Sequence, residues 1–280
     1  MTTCKYHSLF HYAPSIALAA FYASAFSISA VLHLGETVYF KTWSMMPLVV
    51  GAWFEAIGYI MRCLSASEEF GCWSLPPFIV HSVLVLVAPA AIAASLYMLL
   101  EKIIRVSEGE SYSIMSARWI TRIFVAGDIV SFLVQSYGGS MITKPDASKS
   151  SRETGQRIVL VGLIVQIAFG VLFVIVSSVF HYRLHKNFKS GTFTQVNRWL
   201  ITLYSLVTLI TIRNIFRVIE HSEGKDSDLV KREYFVYLFD ASPMLFGLLW
   251  LNWFHPYKMN KSALCEYGYH GYPLSSGFHN

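Results

Sequence analysis

Residues 158–180 read IVLVGLIVQIAFGVLFVIVSSVF. Across these 23 positions there is no Asp, Glu, Lys or Arg, and Gln166, Ser177 and Ser178 are the only hydrogen-bonding side chains. The run does not alternate as a barrel strand does, and it has no polar stripe of the kind that faces water on a surface helix. About 20 apolar residues in a helix cross about 30 Å of hydrocarbon. A chain in lipid must satisfy its own N–H and C=O groups, so such a run has to be helical. The stretch predicts a membrane-spanning helix over about 157–182.

Moving outward in both directions, six more runs of this kind appear: about 15–34, 46–64, 78–100, 119–142, 198–219 and 233–254. The expected fold is therefore all-α, a polytopic seven-transmembrane helix bundle forming one membrane domain over residues 1–280. The first run is long and more spans follow it, so it reads as an uncleaved helix rather than a signal peptide. Residues 255–280 are rich in Gly, Tyr, Ser and Pro and read as a short flexible tail.

Composition agrees. The chain has 280 residues, 54% hydrophobic and 14% charged, with mean hydropathy +0.47. A soluble domain carries roughly 25% charge. Disorder is excluded by the apolar content. A net charge of +5 with no basic block argues against a nucleic-acid partner. There is no P-loop and no dinucleotide fingerprint, and no cofactor is expected. The partner this composition implies is membrane lipid.

Lys and Arg divide almost evenly between the two sides, so the positive-inside rule does not set the orientation. Cys63 and Cys72 fall in one loop, where they are either a disulfide or two free thiols. We take the N-terminus as outside and the C-terminus as cytoplasmic. The sequon Asn260-Lys261-Ser262 would then stay unmodified.

Three acids lie near mid-span: Glu55, Asp128 and Asp240. Each costs about 2.5–3.5 kcal/mol at the bilayer centre unless paired, protonated or hydrated. Helical spacing groups them with other polar residues. Span 2 places Glu55, Tyr59 and Arg62 on one face, and span 4 does the same for Asp128, Ser131 and Gln135. Span 6 carries Arg213, Arg217 and Glu220, and span 7 carries Glu233, Tyr237, Asp240 and Met244. Gly138 and Gly139 are expected to loosen the end of span 4, and Pro89 and Pro243 to kink spans 3 and 7. Two readings follow. The groups either form interhelical ion pairs that fix the fold, or they line a polar pocket between spans 2, 4, 6 and 7. His33, His81, His181 and His255 scatter over both membrane faces without a metal-ligand spacing, so neither a metal site nor an enzyme is expected. Trp43, Trp73, Trp119, Trp199 and Trp253 stand near span ends, as interfacial aromatics do.

These polar pieces, in this order, resemble the fungal lipid-translocating exporter family, also called RTA-like. The matching residues are Tyr12-Ala13-Pro14-Ser15, then Glu55-x-x-Gly58-Tyr59-x-x-Arg62, and Ala88-Pro89 with Tyr97-Met98. Asp128-x-x-Ser131-x-x-x-Gln135-x-x-Gly138-Gly139 and Gly162-x-x-x-Gln166 follow. Arg213-x-x-Phe216-Arg217-x-x-Glu220, Glu233-x-x-x-Tyr237-x-x-Asp240 and His255-Pro256 complete the set. The resemblance implies a seven-helix protein of the plasma membrane that exports sphingoid long-chain bases or confers resistance to toxic lipophiles. It also implies an amphipathic small-molecule or lipid ligand as partner; one branch of the family is linked to protoporphyrin and haem, a receptor-like role is a second alternative, and a zinc-dependent membrane lipid hydrolase is a third. Glu55, Asp128 and Asp240 would meet an amine, and Tyr59, Ser131 and Gln135 hydroxyls. His81 stands where the family pattern has Gln.

Overall fold

A computed structural model of the chain describes residues 14–68, 73–107, 109–144, 148–187, 192–222 and 232–254. Among them there is no strand. The elements are α1 (Ile16–Tyr39), a 3-10 turn (Trp43–Met45), α2 (Met46–Ala66), α3 (Leu75–Val106) and a second 3-10 turn (Gly109–Tyr112). Then come α4 (Ala117–Thr143), α5 (Lys149–Asn187), α6 (Thr192–Ser222) and α7 (Glu233–Trp253).

The helices start where local chemistry allows. The Ser15 hydroxyl accepts a hydrogen bond from the Leu18 amide at 3.4 Å, capping α1. Prolines occupy the first turns of α2 and α3, where a missing N–H leaves nothing unpaired. Several helices outrun their apolar runs: α5 begins at Lys149 rather than near 157, and α3 continues to Val106 rather than ending near 100. Backbone hydrogen bonding does not stop where side chains turn polar. In the extra turns of α3, Arg105 pairs with Glu101 at 2.7 Å, one turn apart.

Among the described residues, six helices, α1 to α3 and α5 to α7, are long and apolar enough to cross a membrane. α4 has 27 residues but carries Arg118, Arg122, Asp128 and Gln135. The burial pattern fits lipid rather than water as the solvent. The most apolar of these helices, α5, is also the least buried. Its Val161, Ile164, Val171 and Ile175 face outward, whereas Glu55, Arg62, Arg213 and Asp240 face inward. A water-soluble chain would reverse that arrangement. The protein is thus an integral, multi-pass membrane protein. Trp43, Trp119 and Trp253 are exposed near helix ends, but Trp73 and Trp199 are buried in the bundle rather than facing an interface.

Each helix packs against the next, and α7 packs back on α1 to close the ring. α3 runs through the middle and also touches α6. Small residues set the closest approaches. A Cβ on Gly51 would lie 2.9 Å from the Ala88 carbonyl of α3. A Cβ on Gly138 would lie 2.6 Å from the Gly155 carbonyl of α5. This corrects the expectation of a loosened end to span 4. α4 runs unbroken to Thr143 because Gly138 is packed against α5, while Gly139 faces open space. The expected tail 255–280 and the residue Cys72 lie outside the described residues; Cys63 is half-buried on α2.

Candidate functional site

α7 is the least regular helix. Residues Tyr237–Ala241 form a π turn between two α segments, and Pro243 follows in the first turn of the second. Pro243 has no N–H to return to the preceding turn, so the backbone widens there. The Ser242 hydroxyl donates to the carbonyl of Tyr237 at 2.8 Å, and its oxygen lies 2.7 Å from the Tyr22 hydroxyl of α1. The sequence anticipated a kink at Pro243; the irregularity takes the form of this π turn, and it carries both Tyr237 and Asp240.

Asp240 is 1% exposed and sits between two guanidiniums of α6. Arg217 donates to it twice, Nε to Oδ1 at 3.0 Å and Nη2 to Oδ2 at 2.6 Å. Arg217 also donates from Nη1 to Glu220 Oε2 at 3.0 Å. Arg213 Nε lies 2.8 Å from Asp240 Oδ1, an ion pair without hydrogen-bond alignment. Arg213 is the largest fully buried side chain among the described residues. Its Nη2 donates to the carbonyl of Val85 at 2.5 Å. That carbonyl is free because Pro89, four residues on, has no N–H to offer it. The proline of α3 thereby prepares an acceptor for an arginine 128 positions later in the chain.

Toward the N-terminal end of α7 a second knot forms. Arg62 donates from Nε to the Tyr237 hydroxyl at 3.0 Å and from Nη2 to Glu233 Oε1 at 3.1 Å, and its guanidinium lies 5.2 Å from the Tyr237 ring. Glu233 also accepts from the Ser15 amide, at 3.0 and 2.8 Å, tying the start of α1 to α7. His81 places Nδ1 2.9 Å from the Gly58 carbonyl, an acceptor only, so Nδ1 carries the proton. Its Nε2 then faces Arg62 Nη1 at 3.4 Å as acceptor.

Between the two knots sit Glu55 and Tyr59 of α2, at 1% and 0% exposure. Both Glu55 oxygens and the Tyr59 hydroxyl are buried without a hydrogen-bond partner. Arg213 and Arg217 of α6 and Asp240 of α7 are charged groups in the neighbourhood of Glu55.

The remaining sequence candidates lie elsewhere. Asp128 accepts from the Tyr97 hydroxyl at 2.9 Å. Ser131 donates back to its own helix, to the Gly127 carbonyl at 2.9 Å. Gln135 donates to Gln166 of α5 at 3.1 Å. So Glu55, Tyr59, Arg62, His81, Arg213, Arg217, Glu220, Tyr237 and Asp240 gather between α2, α3, α6 and α7. Asp128, Ser131 and Gln135 belong to a separate seam between α3, α4 and α5. Span 3 takes the place that the sequence reading gave to span 4. Glu233 was legible as part of the span 7 stripe, four residues before Tyr237. Tyr97 and Gln166 had no signal beyond their place in the family pattern. Among the described residues, no three His, Cys, Asp or Glu side chains converge as a metal site.

The geometry defines a multi-pass membrane protein with a buried ionic layer linking its second, third, sixth and seventh helices. Its sequence matches the family described as RTA1 like protein over residues 48–263. The chain belongs to that family. Among its relatives, Protein RTM1 of Saccharomyces cerevisiae is 35% identical over 80% of this chain and 72% of its own length. Protoporphyrin uptake protein 1 of the same species is 31% identical over 89% of this chain and 92% of its own. Sphingoid long-chain base transporter RSB1 of Saccharomyces cerevisiae (strain Lalvin EC1118 / Prise de mousse) is 24% identical over 82% and 68%. No solved structure matches the chain.

Proposed function

We propose that this protein translocates amphipathic lipids across the membrane, with sphingoid long-chain bases as the substrate class. In this reading all seven helices cross the bilayer, α4 included, with the N-terminus outside and the C-terminus cytoplasmic, in the plasma membrane. The observation that carries it is the ionic layer itself. Ionisable groups inside a membrane bundle are expensive and mark a substrate or ion path. Here they come from four helices and meet at the bundle centre. A relative whose name gives sphingoid long-chain bases as its cargo supports the substrate class. A sphingoid base carries an amine and hydroxyls on a single long tail, which suits an acidic, tyrosine-lined interior flanked by lipid-facing helices.

A tetrapyrrole is the second reading, favoured by the relative named for protoporphyrin uptake. Its propionates would seek guanidiniums. Arg62, Arg213 and Arg217 all have carboxylate partners already, which favours the cationic lipid.

The test is reconstitution. In liposomes holding the purified protein, fluorescent sphingosine crosses faster than in protein-free liposomes, and protoporphyrin does not. Equal rates with and without protein reject lipid translocation; acceleration of protoporphyrin alone moves the assignment to the tetrapyrrole.

A further inference from the structure

Among the described residues, the ionic layer contains three guanidiniums, Arg62, Arg213 and Arg217. Three carboxylates pair with them: Glu233 with Arg62, Glu220 with Arg217, and Asp240 with both Arg213 and Arg217. That set is neutral. Glu55 is the fourth carboxyl of the layer, and neither of its oxygens has a hydrogen-bond partner. Ionised, it would leave one uncompensated negative charge in the bundle centre, where an unpaired charge is least tolerated. The layer is therefore complete only when Glu55 holds one monovalent cation.

The surroundings say which cation. On α2 the neighbour one turn away is Tyr59, whose hydroxyl is also unpartnered. Tyr59 is the hub of a ring cluster. Its ring centroid lies 5.7 Å from Tyr22 and 5.3 Å from Phe26, both on α1, and 6.2 Å from Tyr237 on α7. His81 of α3 closes the cluster at 5.6 Å, and its Nε2 is turned to Arg62. Arg213 and Arg217 of α6 and Asp240 of α7 are close enough for their charges to act on Glu55. A spare carboxyl one helical turn from the hub of a ring cluster and from a free hydroxyl is the chemistry that binds an alkylammonium group.

We propose that Glu55, with the rings of Tyr22, Phe26, Tyr59 and Tyr237, is the cation position of this bundle, holding a proton at rest and exchanging it for the ammonium head group of the lipid. The exchange balances. One H+ leaves the Glu55 carboxyl for water, one R–NH3+ takes its place, and the layer stays neutral. Tyr59 then serves the adjoining hydroxyl of the head group. The inference rests on the lipid reading above, and it makes the protein a proton-for-lipid exchanger.

Two measurements on the purified full-length protein in detergent test it. Dicyclohexylcarbodiimide, an apolar reagent that consumes protonated carboxyls, should modify Glu55 and spare the ion-paired Asp240, as read by peptide mass spectrometry. Sphingosine should abolish that modification, and neutral N-acetylsphingosine should not. In weak buffer, a pH dye should report about one proton released per sphingosine bound. Release should be lost in Glu55→Gln and restored in Glu55→Asp, with binding followed separately by tryptophan fluorescence. Unmodified Glu55, or modification indifferent to sphingosine, overturns the proposal. So does sphingosine binding without proton release, while leaving lipid translocation standing. Accelerated sphingosine crossing in liposomes that persists unaltered in Glu55→Gln under an imposed proton gradient also rejects the exchange and spares the transport reading.

Discussion

The bundle has two polar seams, and they are built on opposite principles. The seam between α2, α3, α6 and α7 is ionic and joins residues far apart in the chain. Arg62 meets Glu233 across 171 positions, and Arg213 meets Val85 across 128. The seam between α3, α4 and α5 is hydrogen-bonded and joins near neighbours. Tyr97 meets Asp128, and Gln135 meets Gln166, each across 31 positions. There the backbones come close enough that glycines are required, and the polar side chains hydrogen-bond each other. The local seam can form as soon as consecutive helices pair. The ionic seam exists only once the ring closes on α7. A change of state that opens the ring breaks the ionic seam first and leaves the α4–α5 pair intact. On the proposed function, the ionic seam is the working half of the molecule and the hydrogen-bonded seam the supporting half.

The most severe way to probe that division is Asp240→Asn. It leaves Arg213 with the Val85 carbonyl alone and Arg217 with Glu220. Removing one partner of a buried pair costs about 3–5 kcal/mol, a large share of a domain's stability of about 5–15 kcal/mol. A lower unfolding temperature in detergent and loss of sphingosine translocation are both expected. Adding Arg213→Met removes one stranded guanidinium, so the double variant should recover part of its unfolding temperature while translocation stays lost. An unfolding temperature unchanged by the single substitution would show that the ionic seam does not hold the ring closed.

The supporting half is probed by Gly155→Ala. Its Cβ would lie 2.7 Å from the Gly138 carbonyl, a backbone atom that cannot swing aside. Overpacking of this kind costs about 1–3 kcal/mol, so the unfolding temperature falls. Translocation per folded molecule should match that of the unsubstituted protein, because the ionic seam is untouched. Gly139→Ala is the matched control. It meets nothing within 4 Å and gains helix propensity of up to about 1 kcal/mol, so it should not lower the unfolding temperature. A Gly155→Ala protein that folds normally but no longer moves lipid would merge the two halves into one machine.

This division was only partly legible in the sequence. The helices were, because a charge-free run such as 158–180 has one stable form in lipid. The ends were not, since helical hydrogen bonding carries Lys149 and Arg105 into the same rods as the apolar residues. The stripe spacing picked out Glu55, Arg62, Arg217 and Asp240, because a charge in a span needs a partner. It could not say which stripe meets which. Asp128 looked equivalent to Asp240 by charge and depth, and the two are separated by where α4 sits in the ring. The Pro89–Val85–Arg213 link was half legible: the freed carbonyl follows from counting four residues back from a proline, but its donor is fixed only by tertiary packing.

The smallest expected effect is also the one that best sharpens the contrast, and it concerns Asp128. An acid tied to two guanidiniums cannot be made neutral without stranding them; one tied to a phenol can. In Asp128→Asn the new side-chain carbonyl still accepts from the Tyr97 hydroxyl now found at 2.9 Å. One hydrogen bond is exchanged for another of similar kind, so stability should change by no more than about 1 kcal/mol. Sphingosine translocation should continue. The complementary Tyr97→Phe leaves Asp128 buried with that bond unmade, a penalty of about 1–3 kcal/mol, and should lower the unfolding temperature more than Asp128→Asn does. If instead Asp128→Asn stops translocation while the protein stays folded, the carboxyl of α4 handles the head group during the cycle. The ammonium path would then run through both seams, and α3, which borders each, would be its shared wall.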